Sequence, residues 1–410
     1  MKIAFVSQWY DPEVGSAAIP GAIVRALQAR GHQVQVITGY PNYPHGRLYE
    51  GYSVRPYQRE TIRGVLIHRV PLWPSHDSSA LRRVLNFLSF MISASTLGAV
   101  LARRSEVSLV YSTPGTVGMV GLVLRRLLRR PFVLYVQDVW PDTVTATGML
   151  PANVTGPAEW VLHRFSNSVY RSAGHIAVIS PGMKALLIDR GVPPDKISVV
   201  FNWVDECAFH PVATKRRPGS PFELMYAGNL GDVQGLDTAV RAVALAAREA
   251  DVVLRLVGAG VALESLRGLA VELGVIDRVR FEGTHSLDEM AAVMATADMQ
   301  LVCLKDDPLF RLTMPSKIQA ILASGQPLLT SAPGDAARLT DESGAGWSAH
   351  AGDPEELAQL LVKASALSQD DLQRMGRIGR AFYDERLSAK VGSQMLESAL
   401  AQAVGKDANA

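Results

Sequence analysis

Short apolar, β-branched runs alternate with helix-patterned segments along nearly the whole chain. "KIAFVSQ", "QVQVITG", "LVYSTPG", "FVLYVQD", "HIAVIS" and "ISVVFN" are continuously hydrophobic and bounded by turn residues, which predicts strands buried on both faces of a parallel sheet. Between them, "AIVRALQARG" and "PGMKALLIDRG" carry helical spacing and close on glycine. After "ISVVFN" the pattern stops. The stretch "HPVATKRRPGSPF" is polar, basic and proline-containing, as a linker is. A second series then begins, with "FELMYAGN", "VVLRLVGAG", "VRFEG", "MQLVCL" and "PLLTSA" as its strands. Two successive α/β series predict two Rossmann-like, doubly wound domains facing a cleft. Their expected bounds are 1–205 and 222–380, joined by a linker at 206–221. The last helical segment, 369–404, is longer than a closing helix needs, so 381–410 is expected to return to the first domain, with a frayed "GKDANA" tail.

Composition narrows the class. At 410 residues the chain exceeds one compact core. Cys207 and Cys303 lie far apart without metal-ligand spacing, which argues against a disulfide framework or a zinc site and for a reducing compartment. The opening "MKIAFVSQ" lacks a signal peptide's cleavage site, so a cytoplasmic location is expected. Charge is divided unevenly: residues 1–200 hold 21 Lys and Arg against 11 Asp and Glu, leaving 20 against 28 for the rest. Within that basic half, Arg82-Arg83 and Arg103-Arg104 bracket an uncharged run from Val84 to Ala102. A membrane span, a buried domain helix and a helix resting on a membrane surface all fit it. "LRRLLRRP", from Leu124, reads either as a basic amphipathic face for anionic lipid or as a solvated arginine face.

In open parallel sheets, ligands collect beyond the carboxyl ends of the strands. "TMPSKIQAILASGQP" marks a helix there: Thr313 or Ser316 suits its cap, Pro315 its first turn and Gly325 the residue past its end. Lys317 at that N-terminus adds a full charge to the open amides, which favours phosphate; the alternative is a solvated surface lysine. Arg311 lies on the preceding loop, and two cations suit a diphosphate. Asp306-Asp307 is not spaced as D-x-D, so no metal is expected. After the first strand, Gly15-Ser16 offers close backbone approach to a diphosphate, but "GSAAIPG" lacks the dinucleotide fingerprint and argues against a nicotinamide enzyme. Gly258 and Gly260 in "LVGAG" form either a ligand loop or only a tight turn. Gln137 and Asp138 end an apolar strand, where Asp138 suits either handling of an incoming hydroxyl or capping of the next turn. Trp140 and Pro141 are expected to pack.

Taken together, "SQWYDPEVGSAA", "GYPNYPHGRLYEGY", "VQDVWPD", "VISPGM", "FNWVDECAFHP", "MYAGNLGDVQGLDTAV", "LVGAG", "VRFEGTHSLDEM" and "MPSKIQAILASGQPLL" resemble, in order, the retaining GT-B glycosyltransferases. The branch is the family-4-like one that serves bacterial surface polysaccharides, similar to N-acetyl-fucosamine transferases. The resemblance implies a nucleotide-sugar donor, expected to be UDP-linked, bound mainly by the second domain and an acceptor bound mainly by the first. The basic, apolar first domain favours a lipid-linked acceptor at the membrane's inner face, and no cofactor, metal or nucleic acid is expected. The resemblance places Gly15 and Ser16 at the donor phosphates, and Gly258 and the Phe281-Glu282-Gly283 stretch at the base. Leu312, Thr313 and Met314 would offer amides, Lys317 would hold the diphosphate and Asp138 would act on the acceptor side or in catalysis. This chain departs from the family where its E-x7-E glutamates fall at Leu312 and Ala320, the latter beside Gln319. The phosphate loop's arginine and lysine fall at Asn229 and Gln234. These departures keep two rivals open: a GT-B nucleotide-sugar 2-epimerase and a non-catalytic nucleotide-sugar-binding subunit.

Overall fold

The computed structural model describes residues 1–75, 80–140, 142, 155–213 and 219–408. Pro141, the "TATG" of the 138 loop, part of the expected linker and the last two residues of the tail lie outside them. The chain forms two units, one of residues 1–201 with 392–410 and one of residues 202–391.

The first unit is built on β1 (Lys2–Val6), β2 (Gln33–Thr38), β3 (Gln58–Ile62), β4 (Val65–Arg69), β5 (Val107–Ser112), β6 (Phe132–Val136), β7 (His175–Val178) and β8 (Ile197–Val199). They lie in the order β3-β4-β2-β1-β5-β6-β7-β8, parallel except for β3. Ile3 to Val6 are fully buried, as helix-covered parallel strands require. The strand pattern misses β3 and β4. "QRETI" is a polar edge strand, and its hairpin turns on Arg63 and Gly64, both at positive φ. Between β7 and β8, the helix Pro181–Asp189 is capped by Ser180, whose hydroxyl accepts from Met183 N at 3.1 Å. Ser180→Ala is expected to lower stability by about 1 kcal/mol, read as a thermal or denaturant midpoint.

The second unit holds β9 (Phe222–Ala227), β10 (Val252–Val257), β11 (Val279–Gly283), β12 (Met299–Cys303), β13 (Leu328–Ser331) and β14 (Gly346–Ala349). All are parallel, in the order β11-β10-β9-β12-β13-β14. The pattern misses β14, whose "GWSA" has almost no apolar run. The single long C-terminal helix is corrected to two, Gln369–Arg386 and Ala389–Ala408. Leu387 turns inward to burial, and one carboxylate, Glu206, accepts from both Tyr383 Oη at 3.1 Å and Ala389 N at 2.8 Å. The second of these helices completes the first unit. Its Leu396, Ala399, Leu400 and Ala403 are buried, Glu397 pairs with Arg30, and Ala403 lies against Gly174.

Candidate active site

In the second unit, three segments meet beyond the carboxyl ends of the strands. Gly228 follows β9 and Gly258 follows β10, both at φ 145°, where a side chain is strained. A Cβ on Gly258 would lie 1.9 Å from the Gly228 carbonyl oxygen, so only glycines let these turns nest. Lys317 reaches over the bare Gly228 backbone from the helix Ser316–Ala323: a Cβ there would lie 2.4 Å from its Cε and 2.8 Å from its Nζ. Its Nζ donates to the hydroxyl of Tyr226 and stands 4.2 Å from that ring's centroid. Tyr226, fully buried on β9, donates in turn to the Asn229 carbonyl at 2.8 Å. Lys317 is therefore not a solvated surface lysine. Burial lowers its pKa to about 8, against a smaller opposing pull from Cys303.

The residues in the family's phosphate-loop places also lie in this turn. The Gln234 side-chain oxygen accepts from Gly231 N at 3.0 Å, and the exposed Asn229 amide closes over the same glycine. Gly258 N donates to Gly283 O, which joins the β10 and β11 ends. Phe281 lies under the Arg267 guanidinium at 4.7 Å, and Glu282 is engaged by Arg255 through both carboxylate oxygens.

Helix capping at Ser316 differs from the expectation. No side chain caps the helix, because the Thr313 hydroxyl donates back to Phe310 O and Pro315 occupies the cap position. Gln319 is buried, and with its nitrogen toward the first turn it donates to Pro315 O at 2.7 Å and Ser316 O at 3.2 Å. Gly325 ends the helix at φ 64°. Met314 and Ala320 are buried, and Leu312 is half-buried. Arg311 is exposed and paired with Asp306 at 3.1 Å, while Asp307 accepts from Leu309 N at 2.8 Å.

Gly15, Ser16 and Asp138 belong to the other unit, at the carboxyl ends of its strands. Gly15 sits at φ 66° with open space where a Cβ would stand, and with Ser16 it starts the short helical turn Gly15–Ala18. Asp138 follows β6 and accepts from Thr113 Oγ1 at 3.2 Å, at the end of neighbouring β5. Burial raises its pKa, and the Thr113 hydrogen bond partly offsets the rise. Trp140 packs against Gly115, and its carbonyl accepts from Arg190.

Sequence reasoning missed Tyr226 and Gly228, although "YAGN" directly after an apolar strand was an available sign. It also missed Glu13, a buried acid two residues before Gly15.

Residues 14–203 match the family model described as Glycosyl transferase 4-like domain, and residues 221–366 match that of Glycosyl transferases group 1. The chain is 28% identical over 343 residues to the putative colanic acid biosynthesis glycosyl transferase WcaI of Escherichia coli (strain K12), covering 79% of this chain and 82% of that protein. It is 29% identical over 299 residues to the probable glycosyltransferase WbjE of Pseudomonas aeruginosa, covering 70% and 72%. Among solved structures, Anabaena Alr3699/HepE in complex with UDP superposes with a TM-score of 0.68 at 16% identity, covering 98% of this chain and all of that one. That likeness shows the GT-B fold.

Proposed function

We propose, from the premise that this chain belongs to the GT-B glycosyltransferases, with a family-4-like first domain and a group 1 second domain, that it transfers an N-acetylated hexose from a UDP-sugar to an acceptor hydroxyl. The carrying observation is Lys317, an ammonium drawn out of water and held by Tyr226 over the Gly228 turn. A cation in that environment interacts strongly with a diphosphate, and most strongly as the sugar bond breaks and charge builds on the leaving group. Asp306 and Asp307 are taken up by Arg311 and Leu309 N, so in this reading the chain balances the leaving group's negative charge with its own lysine, with no metal or cofactor. Uridine is favoured because the Anabaena protein of the same fold is in complex with UDP. Transfer retains the anomeric configuration, with attack on the front face and Asp138 orienting the acceptor hydroxyl. The matches to transferases favour this reading over an epimerase or a binding subunit.

The acceptor is a lipid-linked saccharide of surface-polysaccharide synthesis, in keeping with the colanic acid relative, and the enzyme works at the inner face of the membrane. Support for the membrane comes from Leu81–Ala102, the one segment among the described residues long and apolar enough to span a bilayer. Leu81, Leu85, Leu88 and Ile92 are all exposed, at spacings of four, three and four, which puts them on one helix face. Exposed Arg103 and Arg104 follow it, and the neighbouring helix Gly118–Arg126 leads into exposed Leu127, Arg129 and Arg130. An apolar stripe edged by arginines suits shallow insertion among anionic headgroups.

Two experiments test these assignments. Thermal stabilisation by UDP-sugars over GDP-sugars, followed by transfer from the best donor to lipids of a membrane extract, checks the reaction; NMR of the product anomer checks retention. Stabilisation by no nucleotide-sugar would end the donor assignment. Co-sedimentation is expected with phosphatidylglycerol vesicles and not with phosphatidylcholine ones. The combined L85E, L88E and I92E variant should lose binding about tenfold or more. Wild-type binding by that variant would remove the stripe from the account.

A further inference from the structure

Two loops at the carboxyl end of the first sheet are held together by one buried acid. Glu13 is 3% exposed. Its Oε2 accepts from Tyr10 N at 2.9 Å, within the loop that leads to Gly15. Its Oε1 accepts from Asn42 N at 2.7 Å and Tyr43 N at 2.8 Å, in the loop after β2. A second tie runs alongside: fully buried Arg69, on β4, donates to Asp11 O at 2.6 Å and Gly39 O at 2.8 Å. The β2 loop is folded on itself by Tyr49, whose hydroxyl donates to Tyr43 O, and His45, Arg47, Leu48 and Tyr49 line a cavity of about 570 Å³. A carboxylate can hold three amides at once because all its lone pairs accept.

We propose that Glu13 is a positioning residue for transfer, locking the Gly15 loop to the cavity-bearing β2 loop so that donor contact depends on the arrangement of both. This rests on the reading that Gly15 faces the donor phosphates. Fixing a loop before the ligand arrives removes part of the ordering cost of binding. Protonation weakens the lock: the proton takes the lone pair left free on Oε2, and the neutral carboxyl accepts from the three amides less strongly than the charged one does. The groups facing Glu13 are Arg69 from β4, Tyr49 and the Asn42 and Tyr43 amides from the β2 loop, and the Tyr10 amide of its own loop. Burial raises the Glu13 pKa to about 7 against the lowering pull of the three amides and Arg69. Donor use should therefore weaken as pH falls through neutrality, because the ionised form is the one that locks.

The test compares wild type with E13Q, in which the amide NH₂ must oppose a main-chain N–H. The expected result is a donor KM about tenfold higher with kcat little changed, and loss of the wild-type rise in donor KM below pH 7. In the ligand-free protein, amide-exchange protection at Asn42 and Tyr43 should drop in E13Q, and in wild type on going from pH 8 to pH 6. The wild-type comparison stands even if E13Q does not fold. Unchanged protection in wild type between those pH values would overturn the lock, as would wild-type donor KM and pH profile in a folded E13Q. A drop in protection in a protein that uses no nucleotide-sugar would keep the tie but overturn its role in transfer.

Discussion

Lys317→Ala is expected to weaken binding of UDP and of the UDP-sugar by about 1.5–3 kcal/mol, the range for a hydrogen bond to a charged group, or roughly ten- to a hundredfold in Kd. Alanine is a good helix former and removes the ammonium from the Tyr226 ring, so the fold should survive. The same residue sets a pH dependence. Because burial lowers the Lys317 pKa to about 8, the free protein loses this charge as pH rises through 8, while an unfolded lysine keeps its proton to above 10. The ligand-free fold thus gains stability from this group between those values, since the unfolded chain binds more protons there. A diphosphate favours the ammonium and raises its pKa, so binding takes up a proton above pH 8. Affinity for UDP should fall with pH in that range for wild type and stay flat for the alanine variant. Isothermal titration in two buffers of different ionisation enthalpy checks both statements. Equal affinities of the two proteins for UDP would remove Lys317 from the donor site.

Asp138→Asn is expected to lower kcat by about a hundredfold or more, the scale of a lost proton-handling group, while donor affinity stays within about twofold. Asparagine can still accept from Thr113 through its amide oxygen, so the local geometry is retained. Burial raises the Asp138 pKa, so wild-type turnover that requires the carboxylate should fall with acid at a higher pH than an ordinary aspartate would dictate. That limb should be missing from the variant's profile. Steady-state kinetics with saturating donor separate this from a loss of binding; normal turnover in D138N would make Asp138 a purely structural acceptor for Thr113.

Much of the fold was legible because parallel strands covered on both faces must be apolar throughout, as Phe5, Val36, Tyr135 and Leu301 are. The β3–β4 hairpin was hidden for the converse reason: on this sheet edge exposed Arg59 and Thr61 alternate with half-buried but polar Gln58 and Glu60, which leaves no apolar run. The candidate site divides the same way. Lys317 announced itself through proline, a helix start and charge. What holds it did not, since Tyr226 lies 91 residues earlier and Gly228 acts through a missing side chain. Glu13 was hidden because two of its three partners are main-chain amides about thirty residues away, which carry no side-chain signature. The break at Leu387 escaped because helical spacing continues through it; Glu206, far back in the chain, receives the new amide.

The last helix has a consequence for biosynthesis. Leu396, Leu400 and Ala403 help fill the amino-terminal unit, with Ala403 against Gly174 and Glu397 against Arg30. The half that leaves the ribosome first therefore stays short of a wall until the residues after Val391 are made, whereas residues 202–391 have their whole complement earlier. During translation the later unit should reach protease resistance ahead of the earlier one, and a stop codon after Val391 should leave the first-made unit open.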